Sequence, residues 1–171
     1  SIAIGENAMS GVTTGAANEN IAIGKEALKG AAATTGDRNI AMGTATMDAL
    51  TTGNDNIAMG IDALGAATIA NCNIAIGMNA MGGVTTDHAH LNVAIGQGAM
   101  CGSASTEAQT NVAIGRNALD AVTTGCQNVA LGYNAGGQLT TSCDNVAIGT
   151  TALGGGATTG ANNIAIGLNP A

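Results

Sequence analysis

One five-residue motif recurs along the whole chain and constrains its fold more than any other feature. The pattern Asn-Ile-Ala-Ile-Gly, with small variations, occurs ten times in 171 residues. The steps between successive copies are 19, 19, 17, 17, 19, 19, 17, 17 and 18 residues. A period this short and regular indicates a repeat array, in which each unit packs mainly against its neighbours. The copies begin at Ser1, Asn20, Asn39, Asn56, Asn73, Asn92, Asn111, Asn128, Asn145 and Asn163.

The motif has the alternation of a β-strand. Counting from its Asn as position 1, positions 2 and 4 are large apolar residues and position 3 is always Ala. A period of two is the signature of a strand. We expect large side chains such as Ile21 and Ile23 to face the interior of each unit. The alanines are then expected to face outward, in a close-packed strip between subunits: Ala3, Ala22, Ala41, Ala58, Ala75, Ala94, Ala113, Ala130, Ala147 and Ala165.

The residues after the strand predict a sharp turn and a return segment. Position 5 is Gly in every copy and position 7 is often Asn, and both residues tolerate positive φ. Positions 8 and 9 then open a second segment, which usually ends in Thr-Thr-Gly. Repeated Gly and Thr pairs disfavour a helix. We therefore predict an all-β fold: a single parallel β-solenoid over residues 1–171, with about nine stacked coils of 17–19 residues and two short strands per coil.

Two further patterns concern how coils relate to one another. Stacking about 4.8 Å apart places the position-1 Asn side chains in a column. These amides either form a hydrogen-bonded ladder along the column or act only as turn residues. The steps 19, 19, 17, 17 sum to 72 and recur, so residues 1–72 align with residues 73–144. A duplicated four-coil block is the simplest explanation.

Composition narrows the classes of partner. The net charge is −7 and the four basic residues form no stripe, which argues against nucleic-acid binding. No apolar run approaches membrane-spanning length, so no membrane insertion is expected. Each coil buries few large side chains, so burial against other subunits is expected to add stability. Both ends of the chain cut into a repeat, and we expect a segment of a longer protein.

The motif resembles repeats of known fibrous proteins. Asn145-Val-Ala-Ile-Gly is similar to a motif in the heads of trimeric autotransporter adhesins. The pattern Asn-Val-Ala-Leu-Gly-Tyr-Asn-Ala at 128–135, followed by Thr-Thr, resembles repeats in phage tail-fibre proteins. The resemblance covers the whole chain. It implies a left-handed parallel β-roll, with three chains side by side in a stiff rod that serves attachment. The adhesin-head repeat is shorter than the 17–19 residues seen here, so loop structure does not carry over.

Few residues suggest site chemistry. His88 and His90 form a His-x-His pair that either binds a transition metal or lies in a solvated loop. Cys126 and Cys143 each precede an Asn by two residues, so stacking brings them within disulfide reach, and they are otherwise free thiols. Cys72 and Cys101 complete no metal-binding spacing. Loop oxygens that suit either Ca²⁺ or solvated turns occur at Asp37, Asn54, Asp55, Asp87 and Asp144.

These observations favour a structural protein over an enzyme. No catalytic constellation stands out, so we predict no catalytic, cofactor-binding or metal site and no cofactor. The expected function is a trimeric fibre segment for host or surface attachment, located extracellularly in a virion tail fibre or on a bacterial surface. The alternative is an ice-binding β-solenoid with a Thr column. A β-helix acyltransferase is disfavoured, because Ile-Gly occurs once per coil and the only two His residues lie close together.

A receptor-contacting face is expected where the repeat chemistry relaxes. Position 6, just after the turn, holds a different kind of residue in almost every coil. The Thr-Thr-Gly loops are the other candidate surface. The position-6 residues are Glu6, Lys25, Thr44, Ile61, Met78, Gln97, Arg116, Tyr133, Thr150 and Leu168.

Overall fold

The computed structural model is a parallel β-solenoid, as the repeat predicts. It describes residues 1–12, 17–30, 34–85, 89–102, 107–155 and 160–169, and within these ranges it contains strands and turns but no helix. Ten three-residue strands lie in one sheet in chain order, each parallel to the next. They are β1 Ile2–Ile4, β2 Ile21–Ile23, β3 Ile40–Met42, β4 Ile57–Met59, β5 Ile74–Ile76, β6 Val93–Ile95, β7 Val112–Ile114, β8 Val129–Leu131, β9 Val146–Ile148 and β10 Ile164–Ile166.

The strands stack without any shift in register. Each motif residue pairs with the same residue of the next coil, as Ala22 pairs with Ala41 and Ile21 with Ile40. Alanine therefore stands on alanine, and large apolar residue on large apolar residue, along the whole sheet. Nine steps of strand spacing make the sheet about 43 Å long.

The glycine at position 5 ends each strand. Gly43 has φ 139°, a conformation that L-residues rarely adopt. A Cβ atom added to it would lie 2.5 Å from the carbonyl oxygen of Gly60 in the next coil. Both the backbone conformation and the close stacking therefore exclude any side chain at this position.

The predicted second strand is wrong: positions 6 to 10 form a turn with left-handed residues at positions 7 and 9. Glu26 has φ 59° and Leu28 has φ 47°. Because left-handed residues alternate with ordinary ones, the amides of positions 7 and 9 point in opposite directions along the solenoid. Glu26 N donates to Glu6 O of the preceding coil at 2.8 Å, and Leu28 N donates to Thr46 O of the following coil at 2.8 Å. Beyond this turn, the described residues contain isolated bridges and no second strand.

The prediction of which strand face is interior is also wrong. Ala22 is fully buried inside its own chain, whereas Ile21 and Ile23 are only half-buried and face outward. The cause is the thinness of the coil, because the large side chains that fill the interior come from the opposite wall. Around Gly136, the nearest atoms include a methyl carbon of Leu119, a methyl carbon of Leu139 and the Cβ of Ala130. Only a methyl group fits on the strand side of this space.

The Asn residues at position 1 form a buried hydrogen-bonded ladder, which confirms the ladder interpretation over the simple turn. Asn128 is fully buried. Its Nδ2 donates to Asn111 Oδ1 at 3.1 Å and to Ser142 O at 2.8 Å, and its backbone N donates to the same Asn111 Oδ1 at 2.9 Å. The side chain thus ties its own loop to its strand and also ties two coils together. Seven other fully buried Asn share this position: Asn20, Asn39, Asn56, Asn73, Asn92, Asn111 and Asn145.

Candidate functional surfaces

The outer face of the sheet is a continuous apolar surface, which we call the aliphatic strip. It consists of positions 2 and 4 of strands β1 to β10, in two columns that run the length of the solenoid. Most of these side chains are half-buried, and Val129 and Leu131 are 37% and 45% exposed. A sheet about 43 Å long and three residues, or about 10 Å, wide presents roughly 430 Å². This area is typical of the largest apolar patches on soluble monomers, which are often functional.

Position 6 forms a second exposed column beside the aliphatic strip, and all ten of its residues are exposed. Its chemistry changes from coil to coil. The guanidinium of Arg116 lies 5.8 Å from the ring centroid of Tyr133, and Lys25 lies 3.7 Å from the carboxylate of Glu6. Ile61 is 51% exposed. The column therefore offers varied contacts to solvent and carries no uniform charge.

The Thr pairs expose one hydroxyl column. Thr51 Oγ1 donates to Thr68 O of the next coil at 3.0 Å, and Thr123 makes the matching bond to Thr140 O at 3.0 Å. The second Thr of each pair, Thr52 or Thr124, is exposed. In these two coils the first Thr thus supports stacking, and the second faces water. Parts of the outer loops at 13–16 and 156–159 lie outside the described residues.

The structure joins Cys126 and Cys143 in a disulfide. Their Cα atoms are 4.6 Å apart in adjacent coils, which is the spacing that stacking predicts. The alternative of two free thiols is therefore wrong for this structure. Cys72 is an exposed free thiol and Cys101 is a half-buried one.

Metal-binding chemistry receives no support within the described residues. His90 Nδ1 accepts a hydrogen bond from Asn71 N at 3.2 Å, whereas His88 and Asp87 lie outside those residues. No three His, Cys, Asp or Glu side chains of the described ranges come together where a metal ion would bind.

Several acidic and amide loop oxygens are occupied by protein donors. Asp37 Oδ1 accepts a hydrogen bond from Asn18 N at 2.6 Å, and Asn54 Oδ1 accepts one from Asp37 N at 2.8 Å. Arg38 donates two hydrogen bonds to Asp55, at 2.6 and 2.9 Å, and this contact lowers the pKa of the Asp55 carboxyl. These oxygens serve coil stacking, which favours the solvated-turn interpretation over Ca²⁺ ligation at these positions.

Similarity to known proteins gives no guide to the function, which is therefore inferred from the fold and from these surfaces. No family model, curated protein sequence or solved structure matches the chain. In the part of the chain that the structure describes, no helix is long and apolar enough to cross a membrane. The chain is thus defined by its class, a parallel β-solenoid with an exposed aliphatic strip.

Proposed function

We propose that the chain is a structural fibre segment that assembles through its aliphatic strip into a stiff homotrimeric rod for host or surface attachment. The strip is the observation that carries this proposal. Two columns of Ile, Val, Leu and Met face outward along the whole sheet, whereas the interior of the coil is already filled. A second copy of the chain presents the same flat surface at the same spacing.

The magnitude of burial supports association. Covering roughly 430 Å² of apolar surface at about 25 cal/mol per Å² contributes about 11 kcal/mol per protomer. The loss of translational and rotational freedom costs about 4–15 kcal/mol. The two terms are comparable for one segment of this length, so longer arrays with the same strip gain stability with every added coil.

Stiffness follows from the continuity of the bonding. Every strand is hydrogen-bonded to its neighbours in register, and the Asn ladder runs parallel to the sheet. Neither network is interrupted along the described strands, so bending the rod would require stretching both. A component of this kind suits mechanical extension better than catalysis.

The resemblance to phage tail-fibre and trimeric adhesin repeats supports three chains rather than two and an extracellular location. The virion tail fibre is the preferred setting and the bacterial surface the alternative. Three chains carry a charge of −21, from three times −7, which disfavours DNA and anionic membranes as partners. The exposed position-6 column is the face that we assign to receptor contact.

Matched substitutions on one coil test the assembly. Met42 lies in the aliphatic strip at position 4, and Thr44 lies two residues later in the position-6 column. In light scattering coupled to size exclusion, we expect Met42→Asp to reduce the trimer to smaller species, because burying carboxylates without partners is costly. Thr44→Asp should leave the trimer intact. A wild-type chain that is a stable folded monomer, or a Met42→Asp trimer, would overturn the proposal.

Ice binding is the second candidate, supported by the exposed Thr column. Its support is weaker, because in a coil such as that of Thr51 and Thr52 the first Thr is bonded to a neighbouring carbonyl and the second faces water. Thermal hysteresis of the purified rod separates the two functions. Ordinary colligative freezing is expected for a fibre segment.

A further inference from the structure

One side of the solenoid carries a cleft that the rod function does not require. Its volume is about 390 Å³, within the range of small-molecule sites. It opens beside the position-6 column, and the polar groups on its walls are mainly amides. The side chains that line it are those of Met78, Asn79, Gln97, Cys101, Asn117 and Asp120.

The cleft exists because one side chain is missing from a column. Position 7 is Asn79 in one coil and Asn117 two coils later, but the coil between them has Gly98 with φ 66°. The matching residue 72 positions earlier is Glu26, with φ 59°. Glu26 is held by Lys29, whose Nζ lies 3.5 Å from its carboxylate. The same place in the first four-coil block is therefore filled by an ion pair.

The two four-coil blocks also differ in charge at this place. In the first block, burial raises the pKa of the Asp48 carboxyl, and the field of Lys29 opposes part of this effect. The matching pair in the second block is Cys101 and Asp120, so the cation is replaced by a neutral thiol. Burial raises the pKa of the Asp120 carboxyl, and no cation of the described residues opposes this effect.

The polar groups of the cleft retain free hydrogen-bonding capacity. Asn79 Nδ2 donates to Cys101 Sγ at 3.0 Å, which leaves its Oδ1 as an acceptor. Within the described ranges, the side-chain amides of Gln97 and Asn117 make no hydrogen bond to the protein. The Asp120 carboxylate accepts one from its own backbone N–H and keeps its second oxygen as an acceptor. Each of the three amide side chains has both donor and acceptor groups, and an ionised carboxylate adds two acceptor oxygens.

We propose that this cleft binds a neutral polyhydroxylated ligand, a sugar residue of a receptor glycan. Adjacent hydroxyls of a sugar both donate and accept, which matches Asn79, Asn117 and Asp120, while Met78 supplies an apolar contact for the C–H face. An anionic ligand is repelled by Asp120. Calcium is disfavoured because one carboxylate and three amides fall short of six to eight oxygens. The assignment rests on the proposed attachment function for its biological use and gives that function a receptor chemistry.

The first experiment measures binding on the whole chain. Methyl glycosides of glucose, galactose and mannose are titrated separately into ¹⁵N-labelled protein. We expect at least one to cause saturable shifts of the side-chain amide signals of Asn79 and Asn117, and none to shift Asn7. Asp120→Asn should weaken the binding by about tenfold, the loss of one charge-assisted hydrogen bond. Asp48→Asn, the same change in the first block, should leave it unaltered.

The second experiment fills the cleft with the residues of the first block. Gly98→Glu combined with Asn117→Ala copies Glu26 and Ala45, and Glu26 already adopts the backbone conformation that position 98 requires. We expect this variant to keep the wild-type circular dichroism and oligomer size and to lose sugar binding. No response to any glycoside, equal shifts at Asn7, binding retained by the filled variant, or a response to Ca²⁺ alone would each overturn the proposal. Rod assembly is read separately from oligomer size, so either proposal is able to fail alone.

Discussion

Removal of one ladder amide, in Asn111→Ala, provides the most direct test of how the solenoid is held together. Asn111 is fully buried. Its Oδ1 accepts from Asn128 N at 2.9 Å and Asn128 Nδ2 at 3.1 Å. Its Nδ2 donates to Gly125 O at 2.9 Å and to Asn92 Oδ1 at 3.2 Å. The substitution therefore removes four hydrogen bonds at one point of the column.

The cost follows from the groups that are left without partners. Asn92 Oδ1 still accepts from the backbone N of residue 111 at 3.0 Å, and Asn128 Nδ2 keeps Ser142 O at 2.8 Å. The backbone N of Asn128 and the carbonyl of Gly125 lose the bonds described above. Two buried unsatisfied groups at about 1–3 kcal/mol each give a loss of about 2–6 kcal/mol. For a chain of this size the melting temperature should fall by roughly 4–24 °C.

Thermal denaturation followed by circular dichroism measures the effect, at equal protomer concentration because the proposed assembly would add to stability. Asn18→Ala is the control, since Asn18 is exposed and lies outside the ladder. Its effect should stay within about 0.5 kcal/mol. An Asn111→Ala melting temperature equal to that of the control would refute the view that the ladder carries a large share of the stability.

Three other changes test the core, the disulfide and a buried carboxyl. Ala94→Leu overpacks a fully buried position and should cost about 1–3 kcal/mol in urea denaturation; an unchanged midpoint would contradict the inward placement of the alanine. Cys143→Ser removes the disulfide, which closes a loop of 17 residues, and should lower the free energy of unfolding by about 3 kcal/mol. Wild-type protein with its disulfide reduced should lose the same amount, and no loss on reduction would contradict a stabilising role for the disulfide. Burial raises the pKa of the Asp48 carboxyl in the folded chain. The stability that its protonated form contributes is therefore fully present below the pKa of the unfolded chain, and it is lost as the pH rises through the pKa of the folded chain. Asp48→Asn should therefore raise the melting temperature at neutral pH but not below about pH 3, and equal gains at both would argue against a titration effect.

The strands, their stacking and the proximity of Cys126 and Cys143 could be predicted from the sequence, because each depends on local pattern and period; whether the two thiols are joined stayed open until the structure. Gly43 after Met42 ends a strand wherever the motif recurs, and a fixed period aligns the strands. The spacing of Cys126 and Cys143 also follows from stacking alone. These features require no knowledge of what fills the interior.

The sequence does not show in the same way which face of each strand lies inside the coil. A period of two defines two faces but does not say which one is interior, and the large side chains favour the wrong answer. The decision depends on the opposite wall of the coil, where Leu28 reaches inward from a left-handed backbone conformation. Leu carries no sequence signal for positive φ. The cleft at Gly98 was equally hidden, since one Gly among 27 is informative only when compared with Glu26 in the matching coil.

The exact register of the strands has a consequence for heredity. Because every coil offers its neighbours the same backbone and Asn contacts, an added or deleted coil leaves the remaining bonds intact. Recombination between the similar DNA repeats that encode the coils would thus change the length of the solenoid in steps of about 4.8 Å without a new folding problem. A 72-residue block adds four such steps at once, so solenoid length is a trait that selection is able to adjust while the chemistry of each coil stays the same.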